Sequence, residues 1–174
     1  MRSNFLLYAF ICLIVIGCKT ETQDHGEESS INNTVSKNIT KKEIENLKYN
    51  DYLLSQDASN TVRDWQKYQE LSTQIEYLKT AELSFFKNDI TVMTAFINDF
   101  KAEIPKSIST NEINSRITAL VTKLFKLNSE LLLDNIPKPK KLEAIKEVLV
   151  AFSNLNLQIN KKLEFEANNI LKPE

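Results

Sequence analysis

From Glu27 to the end of the 174-residue chain there is no glycine; the two that exist are Gly17 and Gly26. An average soluble protein of this length would carry roughly 12. The shortage excludes phosphate-cradling loops of the GxGxxG and Walker types, which need glycine to bring backbone N–H groups against phosphate. It also disfavours tight hairpins, whose positive φ angles select Gly or Asn. Prolines are scarce as well, at Pro105, Pro137, Pro139 and Pro173, and charged residues make up 26% of the chain. Such a chain is expected to be helical.

One domain is the natural expectation at this length. The formal net charge is −1, from 22 basic and 23 acidic residues, so the basic excess that marks nucleic-acid binding is missing. His25 is the only imidazole, and Cys12 and Cys18 are the only thiols. Both cysteines precede position 19, so no disulfide ties the body together and no CxxC metal site exists.

Residues 1–17 read as a signal peptide. Arg2 supplies a positive start, and Phe5 to Ile16 form an apolar run of 12 residues. That length suits a signal core and falls short of the ~20 residues that span a bilayer. The run ends in Val15-Ile16-Gly17-Cys18, which resembles the bacterial lipobox. The resemblance implies a Cys18 thiol carrying diacylglycerol, cleavage just before it, and an acylated new N-terminus. The partner so implied is a membrane, reached through a lipid anchor. The implied location is the bacterial cell envelope, at the outer membrane, with the periplasmic or surface face left open.

Residues 18–38 follow as the lipidated cysteine and a polar tether in which only Ile31 and Val35 are apolar. Too little surface could be buried there to offset ordering entropy, so the segment is expected to be disordered. A flexible coil of that length spans roughly 25 Å. Glu21, Asp24, Glu27 and Glu28 make it acidic. This resembles the acidic stretches that follow the lipidated cysteine in surface lipoproteins of Bacteroidota; a plain acidic spacer has the same composition.

Helical signals begin with the capping box Thr40-Lys41-Lys42-Glu43, in which hydroxyl and carboxylate satisfy orphan N–H groups reciprocally. The weak stripe Ile44, Leu47, Leu54 predicts a marginal helix over 41–56, within a segment 39–57. Thr61-Val62-Arg63-Asp64 resembles a second capping box and opens Val62, Trp65, Tyr68, Leu71, Ile75 and Leu78. A third stripe runs Phe86, Ile90, Met93, Ile97, Phe100, Ile104 up to Pro105. These two stripes are out of phase near Lys79–Glu82, where either a tight turn or one long helix passing through a stutter is expected, the turn being the preferred reading. Ser109-Thr110-Asn111-Glu112 is read as a capping box before Ile113, Ile117, Leu120, Leu124, Leu127 and Leu131. After Pro137 and Pro139, the stripe Leu142, Ile145, Leu149, Phe152, Leu155, Ile159, Leu163, Ile170 predicts the last helix. The expectation is all-α: helices of about 20, 22, 25 and 32 residues in an up-down-up-down four-helix bundle over 59–171.

Active-site chemistry has little to work with. With no histidine after position 25, Glu-x-x-His di-iron sites and haem ligation are absent. No D-x-D-x-D-G calcium loop or GxSxG elbow occurs. No cofactor, metal site or catalytic residue is therefore expected, and the chain does not read as an enzyme. The candidate interaction residues are Trp65 and Tyr68, as an exposed recognition pair or as core. Lys138, Lys140 and Lys141 are the others, as a contact for lipid headgroups or an acidic partner, or as a solvated basic loop. Asn156 interrupts the last stripe, where a buried amide could fix register or sit at the boundary.

Taken with the lipobox and the acidic tether, Val62-x-x-Trp65 and Ser153-Asn154-Leu155-x-x-x-Ile159-Asn160 resemble segments of small all-helical lipoproteins of Bacteroidota. That resemblance implies an envelope location and a helical fold, and it transfers no activity. Function is thus expected to be a non-enzymatic protein-interaction or scaffold role with an unidentified protein partner. The alternatives are a bundle that binds a small apolar ligand and an inhibitor or immunity-type lipoprotein.

Overall fold

The computed structural model describes residues 38–170, with side chains described to 168. The expected signal peptide, the lipobox-like motif with Cys18 and nearly all of the expected tether lie outside the described residues. Those residues are all-helical: α1 Lys41–Glu45, α2 Gln56–Thr61, α3 Gln66–Lys79, α4 Ile90–Ala102, α5 Asn111–Leu132 and α6 Lys138–Ile170. Short 3₁₀ turns at Phe85–Lys87 and Lys106–Ile108 precede α4 and α5.

The last two helices match expectation most closely. α5 has 22 residues and α6 has 33. Their apolar stripes are buried through Ile113, Ile117, Leu120, Leu124 and Leu127 on α5, and Ile145, Leu149, Phe152, Leu155 and Ile159 on α6. Lys126 Nζ lies 2.7 Å from Glu147 Oε2, and Lys162 donates to the Ser107 carbonyl near the start of α5. The two helices therefore run antiparallel, joined across the break at Ile136-Pro137. Pro139 sits in the first turn of α6, where its missing N–H costs nothing.

The earlier helices are shorter than expected, with 14 residues in α3 and 13 in α4. The second predicted start is displaced. Thr61 closes α2, and α3 begins five residues later, at Gln66 behind Trp65, whose side chain makes no capping bond. Trp65 is instead held by its indole, which donates to the Phe100 carbonyl at 2.8 Å. The third start shifts by one residue, with Thr110 as the N-cap accepting from the Ile113 amide. Since α4 starts only at Ile90, behind Asp89 as its cap, the phase predicted from Phe86 resets and Ile90 is 49% exposed.

Between α3 and α4 the phase shift is a turn. The Ala81 N–H donates to Leu78 O and the Glu82 N–H to Tyr77 O, both at 3.0 Å. These are the two bonds of a Schellman motif, whose C′ residue adopts the left-handed region and is usually glycine. Here it is Ala81, with φ of 68°. A helical region without glycine thus ends a helix on an alanine that pays a steric penalty.

The expected marginal helix over 41–56 is corrected. The Thr40–Glu43 capping box forms, but α1 stops after 5 residues. Residues 47–55 are non-helical, and a new helix, α2, starts behind Ser55, crossing residue 59 where the bundle was expected to begin. The cause is competition for backbone groups from side chains on α6, described next.

Candidate functional site

Ser153, Asn156 and Asn160 occur at helical spacing on α6 and grip the segment Asn50–Ser55. The Ser153 hydroxyl donates to Asn50 O (2.6 Å) and accepts from the Tyr52 N–H (2.7 Å). Asn156 Nδ2 donates to Tyr52 O at 3.0 Å. Asn160 Nδ2 donates to Leu53 O (2.8 Å), while its Oδ1 accepts from the Ser55 N–H (2.9 Å). These bonds supply for the segment what a helix or a neighbouring strand would supply, so the chain runs as a strap over α6. From the other side, Lys79 Nζ pairs with Asp51 at 2.8 Å.

Asn156 is only 5% exposed, and its Oδ1 also accepts from the Tyr68 hydroxyl at 2.7 Å. Burial pushes the Tyr68 phenol well above its ordinary pKa, so it remains a neutral donor. Asn128 does a parallel job on α5, donating to Phe86 O (3.0 Å) and Asn88 O (2.8 Å) and fixing the turn before α4.

The exposed recognition pair is corrected. Trp65 is 0% exposed, and Tyr68 is buried too. Their rings lie 5.2 Å apart between centroids, with Phe100 4.7 Å from Trp65 and Phe152 5.6 Å from Tyr68. This aromatic row joins α3, α4 and α6 through the core, and neither residue can meet a partner from solvent.

The three lysines separate. Lys138 Nζ pairs with Glu43 at 2.6 Å and donates to the Asn38 carbonyl, tying the α1 segment to the start of α6. That bond first, then the Thr40 amide and hydroxyl, hold the Glu43 carboxyl down at about 2. Lys140 is exposed and Lys141 is half-buried at the same end.

A surface concavity with a largely apolar wall lies between α5 and α6, with a volume of about 660 Å³. Ala119, Leu142, Val150 and Ala151 form its floor, Leu47 and Pro139 one end, and charged residues the rim. Lys123 reaches across to Glu147 at 3.4 Å, and Lys126 holds the other Glu147 oxygen, an arrangement that lowers the Glu147 pKa chiefly through Lys126. Arg116 and Lys146 on the rim make no ion pair among the described residues. The groove follows α6 from Pro139 to Asn154, about four turns or ~22 Å at 1.5 Å per residue.

Among the described residues no three His, Cys, Asp or Glu side chains gather as a metal site would require, and no helix is long and apolar enough to cross a membrane. Comparisons with protein-family models, with curated proteins and with solved structures find no match to the chain.

The groove has no short sequence signature. Ala119 and Ala151 stand on different helices and become one surface only when α5 and α6 pair. The strap ladder left a partial trace in the amide at Asn156. Ser153 and Asn160, three residues before and four after it, complete a polar stripe beside the apolar one.

Proposed function

We propose that the protein is a lipid-anchored component of the bacterial envelope that acts as a non-enzymatic interaction scaffold. The bundle is read as up-down-up-down from α3 to α6. The bonds that join helix ends, Trp65 to Phe100, Asn128 to Asn88 and Lys126 to Glu147, support that path. Cys18 is the lipid site, and the resemblance of Val15-Ile16-Gly17-Cys18 to a lipobox supports it.

The observation that carries the interaction role is the α5–α6 groove. Ala119 and Ala151 in its apolar floor permit close approach of another backbone, its ~22 Å length matches about 15 residues of helix, and on its rim Arg116 and Lys146, with Glu143 near them, stand outside the internal ion pairs. An amphipathic helix of a partner protein, with carboxylates flanking its apolar stripe, fits that surface. A photocrosslinking side chain placed in cells at Ala119 or Ala151 should give one discrete adduct. The same probe at Asn111, outside the groove, should give none, and Arg116→Glu with Lys146→Glu should abolish the groove adduct. Adducts of equal yield at all three positions, or none at the groove, would refute the role; an adduct with a small lipid instead of protein would support the apolar-ligand alternative.

A further inference from the structure

One end of the fold collects three features that the bundle itself does not use. The first is where the chain enters. Asn38 and Ile39 line a polar hollow of about 960 Å³ together with Lys87, Lys138 and Lys141. The second is charge. Lys138 is committed to Glu43, whereas Lys87, Lys140 and Lys141 make no ion pair among the described residues; Glu82 and Asp134 are the carboxylates that line the same hollow. The third is apolar exposure. Leu132 and Leu133, at the end of α5 beside this hollow, are 50% and 48% exposed. Two adjacent exposed leucines at a helix end near these lysines make a surface with both components of an interfacial anchor.

We propose that this end docks on a bilayer surface of anionic phospholipid, with Leu132 and Leu133 entering the interface and Lys87, Lys140 and Lys141 meeting the headgroups. The inference rests on the reading that Cys18 carries lipid. Cys18 precedes Asn38 by 20 residues, so a lipid there can be no further than about 70 Å of fully extended chain from this end of the fold. Tethering at that range raises the local concentration of membrane surface, so contacts too weak to recruit a soluble protein suffice to orient an anchored one. Each lysine near an anionic surface favours the docked form by about fivefold and each carboxylate there opposes it by a similar factor, so the three lysines against Glu82 and Asp134 leave roughly a fivefold net electrostatic gain beside the contribution of the two leucines. The opposite end, around Ser107 and Asn111, would then face away from the lipid.

The test uses the full lipidated chain reconstituted in vesicles of phosphatidylglycerol and phosphatidylcholine. A photocrosslinking side chain is placed at Leu133 or at Ser107. Flotation reports the anchor, and lipid adducts report docking. The expected result is flotation of every form, with adducts at position 133 at least tenfold above those at position 107. In Lys87→Glu/Lys140→Glu/Lys141→Glu the contrast should vanish while flotation persists, and 1 M salt should weaken it in the unmodified sequence. Flotation with equal adducts at the two positions overturns the docking proposal alone. Failure of the chain to float overturns the anchor, and the docking falls with it.

Discussion

Ala81→Gly is expected to stabilise this protein, against the usual direction of alanine-to-glycine changes. Ala81 holds the C′ position of the Schellman motif that ends α3, at φ of 68°. An L-residue in that region is strained by roughly 1–2 kcal/mol through its Cβ, and glycine is not. Glycine also brings a more flexible unfolded chain, at a cost of roughly 0.4–1 kcal/mol. Ala81 is half-buried against the core, so losing its methyl removes part of the ~0.8 kcal/mol of a buried carbon. The net gain is about 0.5 kcal/mol, or ~2 °C in Tm for a domain of this size. The matched control is Ala119→Gly, at an exposed position inside α5. There the same change costs roughly 1 kcal/mol, because glycine is the poorer helix former and no strain is relieved. Urea unfolding of the two variants should bracket the unmodified protein, with a difference of about 1.5 kcal/mol. Equal destabilisation by both would refute the assignment of strain to Ala81.

Asn156→Ala should cost about 2–4 kcal/mol, because it strands the Tyr68 hydroxyl and the Tyr52 carbonyl; in a Tyr68→Phe background the cost should shrink, which a double-mutant cycle measures. Ser153→Ala should speed hydrogen exchange at the Tyr52 amide and leave the Ser55 amide, held by Asn160, protected. Acid should loosen α1 first. The Glu43 carboxyl is held at about 2 in the fold against 4.5 ordinarily. Its contribution is therefore complete above pH 4.5 and disappears as pH falls towards 2. Amide signals of Thr40 and Glu43 should shift in that window before those of α5 and α6.

Long stripes with clear breaks were readable in advance. α6 runs from Lys138 because Pro137 breaks the chain before it and Pro139 suits its first turn, and Leu142 to Ile159 keep one face for about five turns. The turn at Lys79–Glu82 was readable from the phase of its flanking stripes, although the residue type at Ala81 gave no warning of a left-handed backbone. The strap was not readable. Ile44, Leu47 and Leu54 fall at nearly helical spacing, and what unwinds them is a set of hydrogen bonds from residues about a hundred positions away, such as Ser153 to Tyr52. Local pattern cannot report such competition. Trp65 and Tyr68 were legible as core from their place on the stripe Val62 to Leu78, and Phe100 and Phe152 arriving from other helices decide for that reading over exposure. The groove depends on the pairing of α5 with α6 and so became visible only with the fold.

The proposed location, anchor and membrane-facing end all depend on one residue. Metabolic labelling with palmitate, followed by purification of the protein, tests it directly. Label should enter the unmodified chain and disappear in Cys18→Ala, with the protein still produced. Label retained in Cys18→Ala, or never incorporated into the unmodified chain, would contradict the account of a lipid-anchored scaffold.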